Sequence, residues 1–302
     1  MKIPIIAIVG PTAVGKTELS IKIAKKYNCE IISIDSVQIY KKFDIGSAKI
    51  SKEEMSGIKH HFIDYLDPKD KFSVFEFQKL VRNKIKDIYF RGKIPLLIGG
   101  SGYYMSAILY DYKFANYDKL NKEEDISIYK MLEYLKENYL ETYEKIDKNN
   151  HRRIINAYNY VLNKKENTTE NMGSCRIYNQ FNPYIIVLNM DRKKLYERIN
   201  LRVEKMFEMG LIEEVQEIVN NYGYKIQPMN SIGYKELISY ILSENVDIET
   251  IKGLISKNTR NYAKRQITWY KNKMFNTNWY DVENNLNIET IFNDIRYFLE
   301  GK

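Results

Sequence analysis

The sequence predicts an α/β fold, in which a parallel β-sheet is flanked by helices and carries a small all-helical insertion domain. Three observations support this prediction. Short apolar runs alternate with amphipathic helical segments over residues 1–112. A glycine-rich loop joins the first apolar run to the first helical segment, and the pattern changes to helices and a polar stretch between 113 and 183. We therefore predict a core formed by residues 1–112 and 184–302, with the insertion domain at 113–183.

Hydrophobic spacing assigns the elements of the core in order. The first apolar run, IPIIAIV, has the length of a buried strand, and in the next segment Leu19, Ile23 and Ala24 share one helical face. The amphipathic segment VFEFQKLVRNKIKDIYFRGK predicts a helix that runs as far as Lys93. After residue 190 we expect helices to the C-terminus. The predicted strands are residues 3–9, 30–34, 94–100 and 184–190.

The insertion shows helical spacing twice. We expect its helices within residues 123–146 and 151–163, followed by a polar loop at 164–183. Each helix has one apolar face. The apolar residues of the first helix are Ile128, Met131, Leu132, Leu135 and Tyr139, and those of the second are Ile154, Ile155, Tyr158 and Val161.

The composition is that of an ordinary globular protein, with 44% hydrophobic and 28% charged residues in a chain of 302. The two cysteines, Cys29 and Cys175, are far apart and lack C-x-x-C spacing, which argues against a disulfide framework or a zinc site. We find no signal-peptide pattern and no apolar stretch approaching the roughly 18 residues of a membrane span. We therefore expect a cytoplasmic protein that does not enter a membrane.

Positive charge is concentrated near the C-terminus. The formal net charge is +8, and residues 251–280 contain seven Lys or Arg and no Asp or Glu. On a helix, Lys257, Arg260, Lys264 and Lys271 fall on one face, beside an apolar face formed by Ala263, Ile267, Tyr270 and Met274. A basic stripe of this kind suits a nucleic-acid backbone, although a merely solvated lysine face has the same pattern.

The glycine-rich loop, GPTAVGKT, fits the phosphate-binding pattern G-x-x-x-x-G-K-[ST] between a strand and a helix. It predicts a P-loop NTPase-like core whose backbone amides surround phosphate oxygens. Lys16 would neutralise the outer phosphate, and the Thr17 hydroxyl could reach a Mg²⁺ ion. The predicted phosphate-binding residues are Gly10, Pro11, Thr12, Ala13, Val14, Gly15, Lys16 and Thr17.

The loop alone does not identify the ligand to which the phosphate belongs. A GTPase would carry N-K-x-D, but the nearest candidate, NKMF at 272–275, lacks the Asp. A motor ATPase would have a second acidic residue after its metal-binding Asp, whereas Ser36, Val37 and Gln38 follow Asp35. A small-molecule kinase stays open at this point, because Asp35 at a strand end could hold Mg²⁺.

Further motifs point to one family. They are DSVQIYKKFDIGSAK, HHFIDYLDP, FSVFEFQ, IPLLIGGSGYY, RVEKMFEMGLIEEV, SIGYKE and TRNYAKRQITWYK, in this order after the phosphate loop. In these segments, and in the helical insertion, the chain resembles the bacterial tRNA dimethylallyltransferases from end to end. Within the insertion it departs from the family, because NAYN at 156–159 replaces the usual Arg-Ala-Leu-Glu and the Thr-Gly-x-Pro turn is missing.

The resemblance implies transfer of a dimethylallyl group from dimethylallyl diphosphate to N6 of the adenine next to the anticodon. The loop would then hold the diphosphate leaving group, with Mg²⁺ as cofactor. Asp35 matches the family's general base, and Arg202 matches the arginine that neutralises the diphosphate. Ser101 stands where the family usually has Thr, so a hydroxyl is kept. The family also implies a monomer.

The resemblance further implies an anticodon stem-loop of tRNA as partner. The segment 35–38 would receive the adenine, with Gln38 offering a donor and an acceptor, and Arg153 is the clearest basic contact of the insertion. The residues expected to bind tRNA are Asp35, Ser36, Val37, Gln38, Ser101, Arg152, Arg153, Ile154, Ile155, Asn156, Lys257, Arg260, Lys264, Arg265 and Lys271.

Three alternatives stand beside this prediction. An adenylate isopentenyltransferase runs the same chemistry on free nucleotides, but that group usually lacks the insertion and the basic C-terminal segment. A small-molecule P-loop kinase would turn over ATP without tRNA. A non-catalytic tRNA-binding protein is the third alternative, but it would not require the phosphate loop or Asp35.

Overall fold

A computed structural model describes residues 2–112, 126–164, 176–242, 247–283 and 288–301. The chain divides into two compact units. One unit contains Met1–Asp111 together with Cys175–Lys302, and the other is Tyr112–Ser174.

The first unit is built on a parallel β-sheet. Its six strands are β1 (Ile3–Val9), β2 (Cys29–Ser33), β3 (His60–His61), β4 (Ile94–Gly99), β5 (Phe181–Asn189) and β6 (Thr277–Asp281). Their order across the sheet is β3-β2-β4-β1-β5-β6, and every neighbouring pair is parallel. The central position of β1 places the loop that follows it at the middle of the carboxyl edge of the sheet, where ligands of open α/β sheets bind.

Helices of the first unit lie on both faces of this sheet. They are α1 (Lys16–Tyr27), α2 (Val74–Phe90), α3 (Gly102–Leu109), α7 (Arg192–Glu208), α8 (Leu211–Tyr222), α9 (Tyr234–Leu242), α10 (Ile248–Lys273) and α11 (Ile288–Glu300). The helices of the second unit are α4 (Ile128–Asn138), α5 (Leu140–Lys145) and α6 (His151–Lys164). A short 3-10 helix, Gln227–Asn230, precedes α9. Among the described residues, no helix is long and apolar enough to cross a membrane.

The alternation of side chains along β1 divides the core into two layers. Ile5, Ala7 and Val9 belong to the cluster on one face of the sheet, and Ile6 and Ile8 belong to the cluster on the other. All five are fully buried. Burial of each isoleucine stabilises the fold by about 1.5–3 kcal/mol, so the sheet that carries the phosphate loop is a rigid base.

The α/β fold is confirmed, and the predicted strands match β1, β2, β4 and β5 to within three residues. The expectation of helices alone after residue 190 is wrong, because β6 forms there. The segment TNWYD lies at the edge of the sheet and is half-buried or exposed, so it lacks the apolar run of a central strand. The helix α2 ends at Phe90 rather than Lys93, because Gly92 takes a left-handed φ of +75°.

The second unit contains α4, α5 and α6, with Leu135, Ile154 and Val161 buried among them. The rings of Tyr134 and Tyr158 meet edge to face at a centroid distance of 5.2 Å. Two details of the predicted helical faces are wrong. Tyr139 has φ −144° and ψ 56° and separates α4 from α5, and Ile155 is 37% exposed.

Candidate active site

The phosphate loop, residues 10–17, connects β1 to α1 as predicted. A Cβ at Gly10 would lie 2.8 Å from the carbonyl oxygen of Leu188 on the neighbouring strand, so close approach of β5 requires glycine there. Gly15 has a left-handed φ of +102° and stands immediately before the first residue of α1. The N-terminus of α1, with its partial positive charge, therefore lies at the carboxyl edge of the sheet, where an anion would be favoured.

The ammonium group of Lys16 folds back over the loop. Its Nζ donates hydrogen bonds to the carbonyl oxygens of Gly10 at 3.0 Å and Pro11 at 2.8 Å. Burial, together with the positive charge of Arg202, lowers the pKa of Lys16 to about 7, while the negative charge of Asp35 acts against this shift. An anionic ligand beside the ammonium would act against this depression, because negative charge favours the protonated form.

Asp35 follows β2 at the same edge of the sheet. Its Oδ1 accepts hydrogen bonds from the backbone amides of Val37 at 2.8 Å and Gln38 at 3.1 Å. Among the described residues, no group donates a hydrogen bond to Oδ2. The carboxylate is thus held in a fixed orientation by one oxygen and keeps the other available to a ligand.

Arg202 projects from α7 towards the loop and donates a hydrogen bond from Nη1 to Oγ1 of Thr12 at 3.3 Å. Burial lowers the pKa of Arg202, and the nearby Asp35 raises it in compensation. Because Lys16 and Asp35 also influence each other, these three groups form one electrostatic cluster.

Two neighbouring cavities open around this cluster. The first, of about 300 Å³, lies over the phosphate loop, and its lining includes Thr12, Ala13, Gly15, Lys16, Thr17, Ser33, Gln38, Gly100, Arg198 and Gln266. The second, of about 380 Å³, has a more apolar wall that includes Val37, Ile199, Val203, Met206, Ile232 and Ile255. Both are lined by Thr12, Asp35, Ser47, Arg202 and Tyr262. The carboxylate and the guanidinium therefore stand where the two cavities meet.

The structure brings most of the predicted phosphate-loop residues to the first cavity and places Ser36, Val37 and Arg265 on the second. Gln38 lines the first cavity, but its amide nitrogen already donates hydrogen bonds to the backbone. Its Nε2 donates to the carbonyl oxygens of Ser47 at 3.1 Å and Ala48 at 3.2 Å.

Ser101 lies next to the first cavity without lining it. It is the N-cap of α3, and its Oγ accepts a hydrogen bond from the backbone amide of Tyr104 at 3.4 Å. The neighbouring Gly100 does line the cavity. The hydroxyl at position 101 therefore has a structural partner in this structure.

The basic residues predicted on α10 do lie on one helix. Lys257, Lys264, Arg265 and Lys271 are exposed, while Arg260 is half-buried and donates to Oδ1 of Asn200 at 2.6 Å. Within the described ranges, no carboxylate lies within 4 Å of these five cations. Of the apolar face predicted beside them, Ala263, Tyr270 and Met274 are buried, and Ile267 packs partly buried against the core.

In the second unit, the predicted stretch 152–156 forms part of α6. Arg153, Ile155 and Asn156 are exposed, whereas Ile154 is fully buried. The side chain of Arg152 lies outside the described residues.

The sequence did not indicate Arg198, Tyr262 and Gln266, which line the first cavity. Arg198 stands four residues before Arg202 on α7, a spacing that puts both on one side of a helix. The signal for Gln266 was a polar residue within the apolar face of α10. Burial raises the pKa of Tyr262, so its phenol stays neutral beside Asp35.

No cluster of three or more His, Cys, Asp or Glu that could hold a metal occurs in the part of the chain that the structure describes. The Thr17 hydroxyl and the Asp35 carboxylate are two oxygen groups on the wall of the first cavity. These are hard oxygen donors of the kind that Mg²⁺ prefers, and Mg²⁺ typically completes its shell with phosphate oxygens and water. The donor set fits Mg²⁺ only together with a phosphate ligand.

Comparison with known proteins gives one consistent result. A family model described as IPP transferase matches residues 38–273. The tRNA dimethylallyltransferase of Macrococcus caseolyticus is 43% identical over 300 residues, covering 97% of this chain and 95% of the relative. A crystal structure of a tRNA isopentenylpyrophosphate transferase from Staphylococcus epidermidis has a TM-score of 0.73 and 40% identity, covering 98% of this chain and 99% of that one.

A full-length transferase of the same description from Bacillus halodurans has a TM-score of 0.76 and 36% identity, covering 100% of this chain and 98% of that one. Both the sequence relatives and the solved structures therefore extend over the phosphate loop, the insertion and the basic helix. This chain belongs to the IPP transferase family.

Proposed function

We propose that this protein transfers a dimethylallyl group from dimethylallyl diphosphate to N6 of the adenine next to the anticodon of tRNA. The observation that carries the proposal is the position of Asp35 and Arg202, which line both the phosphate-loop cavity and the more apolar cavity beside it. A diphosphate in the first cavity and a purine in the second would meet at these two groups. Family membership supplies the reaction class.

In the proposed reaction, the adenine N6 attacks the first carbon of the dimethylallyl group, and the bond between that carbon and the diphosphate oxygen breaks. The leaving diphosphate takes the electron pair of the broken bond. The amine loses a proton, and Oδ2 of Asp35 accepts it, because Oδ1 is held by two backbone amides. A carboxylate with one fixed oxygen can orient the amine before it attacks.

The departing diphosphate gains negative charge as the carbon–oxygen bond breaks. Lys16, Arg202 and the loop amides would stabilise that charge at fixed positions, which is more effective than rearranging water around it. When bound, Mg²⁺ would neutralise part of the diphosphate charge, held by the Thr17 hydroxyl with phosphate oxygens completing its shell. Ser101 is proposed as a further polar contact at the mouth of the site.

An adenine inside a stacked RNA loop cannot reach a cavity of this kind. It has to leave the stack, and the segment 35–38 would receive it. The exposed cations of α10 would hold the tRNA backbone. So would Arg153 and Asn156, the exposed polar residues of the stretch 152–156, as part of a tRNA-contacting insertion domain at 113–183. We propose that the protein acts as a monomer, as the family resemblance implies.

The test is incubation with an anticodon stem-loop RNA, dimethylallyl diphosphate and Mg²⁺, followed by digestion and mass analysis of the nucleosides. We expect one adenosine per stem-loop to gain a dimethylallyl group. Parallel reactions with AMP and with ATP distinguish the alternatives. Prenylated AMP without prenylated RNA would indicate an adenylate isopentenyltransferase, and ATP turnover without RNA would indicate a kinase.

A further inference from the structure

The amide group of Gln266 joins α10 to the phosphate loop. Gln266 is 4% exposed. Its Oε1 accepts a hydrogen bond from the backbone amide of Thr12 at 3.0 Å, and its Nε2 donates to the carbonyl oxygen of Gly100 at 2.7 Å. Both polar atoms of a buried side chain are thus used, and each holds a different segment at the carboxyl edge of the sheet.

The surrounding residues are shaped around this amide. A Cβ on Gly100 would lie 2.4 Å from Nε2 of Gln266, so a side chain at position 100 would displace the amide. One helical turn later, the hydroxyl of Tyr270 lies 2.5 Å from the carbonyl oxygen of Gly100 and 3.2 Å from that of Gly10. The loop and the end of β4 are therefore connected through α10 at two successive turns.

Thr12 is the residue through which this connection reaches the reacting groups. Its backbone amide is held by Gln266, and its hydroxyl accepts the hydrogen bond from Nη1 of Arg202 at 3.3 Å. Among the described residues, Thr12 is the one hydrogen-bond partner of the Arg202 guanidinium. The position of Arg202 near Asp35 consequently depends on the position of Thr12.

We propose that Gln266 is a positioning residue: it fixes Thr12, and through the Thr12 hydroxyl it orients Arg202 towards the departing diphosphate. This inference rests on the proposed function, in which Arg202 stabilises the leaving group. Electrostatic stabilisation of a developing charge is sensitive to displacements of a fraction of an ångström. Loss of the Gln266 amide therefore slows the transfer step more than it weakens the binding of either substrate.

The experiment is a double-mutant cycle on the single-turnover rate of transfer to a stem-loop RNA. Gln266→Met keeps the length of the side chain and removes both hydrogen bonds, and Thr12→Val removes the hydroxyl while keeping the backbone amide. We expect Gln266→Met to lower the rate by about 10–100-fold in the wild-type background. In the Thr12→Val background, we expect Gln266→Met to change the rate by less than about 3-fold. Without the Thr12 hydroxyl, Gln266 can no longer orient Arg202 through it.

Two further measurements separate positioning from a structural role. The affinity for inorganic pyrophosphate and the KM for RNA stay within about 3-fold of wild type in Gln266→Met. Tyr270→Phe, which loosens the same loop without touching Thr12, gives effects on rate that add to those of Thr12→Val. Gln266→Leu, which also removes both hydrogen bonds, replaces Gln266→Met in the cycle if the latter does not fold.

An active wild-type protein with additive effects of Gln266→Met and Thr12→Val overturns the role of Gln266 and leaves the proposed function intact. An unchanged transfer rate in Gln266→Met would likewise overturn the role of Gln266 and leave the proposed function intact. A wild-type protein that does not prenylate RNA overturns the proposed function and, with it, the role assigned here to Gln266. The two failures are therefore told apart by the wild-type reaction alone.

Discussion

The Nη1 atom of Arg202 lies 3.3 Å from the Thr12 hydroxyl oxygen, so a residue of α7 is joined to the phosphate loop across 190 positions of the chain. From this contact we predict that Arg202→Met lowers the single-turnover rate of transfer by about 10²–10³-fold, because it removes a preorganised charge beside the leaving diphosphate. Rapid-quench kinetics with labelled dimethylallyl diphosphate measures this rate.

The matched control for this change is Arg192→Met on the same helix. Arg192 is exposed, its Nε donates to the Tyr196 hydroxyl at 2.8 Å, and it lines neither of the two cavities around Asp35. We expect this variant to react at a rate within about 2-fold of wild type. Equal losses in the two variants would mean that charge on α7, rather than the position of Arg202, governs the rate.

A second prediction concerns Asp35. The change Asp35→Asn keeps an acceptor for the backbone amides of Val37 and Gln38, so the geometry of the segment is preserved. The amide cannot accept the proton of the adenine amine, and we expect the transfer rate to fall by about 10²–10⁴-fold. Filter binding should give an RNA affinity close to wild type. Transfer at a normal rate would remove Asp35 from the proton-transfer step.

The third prediction follows from the depressed pKa of Lys16. Burial lowers this pKa to about 7, below the ordinary value of 10.5 that the residue regains on unfolding. Between these values the unfolded chain binds more protons than the folded chain, so the contribution of Lys16 to stability rises with pH. Below pH 7 both states are protonated, and the cost of a buried ammonium is constant.

The measurement is the difference in Tm between Lys16→Met and the wild type. We expect this difference to be most favourable to the variant below pH 7 and to shrink as the pH is raised towards 9, because the wild-type lysine becomes neutral. The hydrogen bonds that the variant lacks change its Tm by the same amount at every pH, so they do not alter the pH dependence of this difference. A difference independent of pH would show that Lys16 keeps a normal pKa in the folded protein.

The fourth prediction concerns the exposed basic residues of α10. Lys264→Glu should weaken the binding of a stem-loop RNA and flatten the dependence of log K on log salt by about 1 unit, because one phosphate contact is lost. Lys79→Glu, at an exposed position of α2, changes the net charge equally and should leave the slope unchanged. Equal effects of the two substitutions would indicate long-range charge rather than contact by α10.

The sequence was sufficient to predict the central strands and the phosphate loop, because both depend on local patterns. An apolar run that is buried on both faces, such as IPIIAIV, is visible without knowing its neighbours. The two-residue β3 and the polar edge strand β6 were missed, since each forms only by pairing with a strand that is already in place. Short or polar edge strands have no periodic signal of their own.

The positions of Lys16 and Asp35 were predictable, because each follows a predicted strand, and both residues line the first cavity. The role of Asp35 as a base follows from the family resemblance and stays a prediction. The hydrogen bonds between distant segments were not predictable from spacing. Gln266 contacts Thr12 across 254 positions of the chain. In the sequence it is only a single polar residue on the apolar face of a basic helix, and nothing in that pattern identifies Thr12 as its partner. Gln38 shows the converse, because its amide binds two backbone carbonyls of the neighbouring loop instead of staying open to a base.

The last prediction concerns the loop that supplies those carbonyls. The carboxylate of Glu214 on α8 accepts hydrogen bonds from three successive backbone amides, those of Asp44 at 3.0 Å, Ile45 at 2.6 Å and Gly46 at 3.1 Å, and from the Tyr234 hydroxyl at 2.7 Å. A Cβ on Gly46 would lie 2.6 Å from the Tyr234 ring, so the loop fits closely against α9. One carboxylate thus holds a wall of the second cavity.

We predict that Glu214→Ala lowers the free energy of unfolding by about 2–4 kcal/mol, because four donors lose their acceptor at once. Urea denaturation measures this value, and the transfer rate should fall as well, since the Ser47 and Ala48 carbonyls that hold Gln38 follow directly in the chain. The control is Glu217→Ala on the same helix, whose exposed ion pair with Lys42 spans 3.7 Å. A pair of that kind contributes at most about 1 kcal/mol. A stability for Glu214→Ala equal to that of the control would mean that water replaces the carboxylate at no cost, and that the loop holds its shape through other contacts.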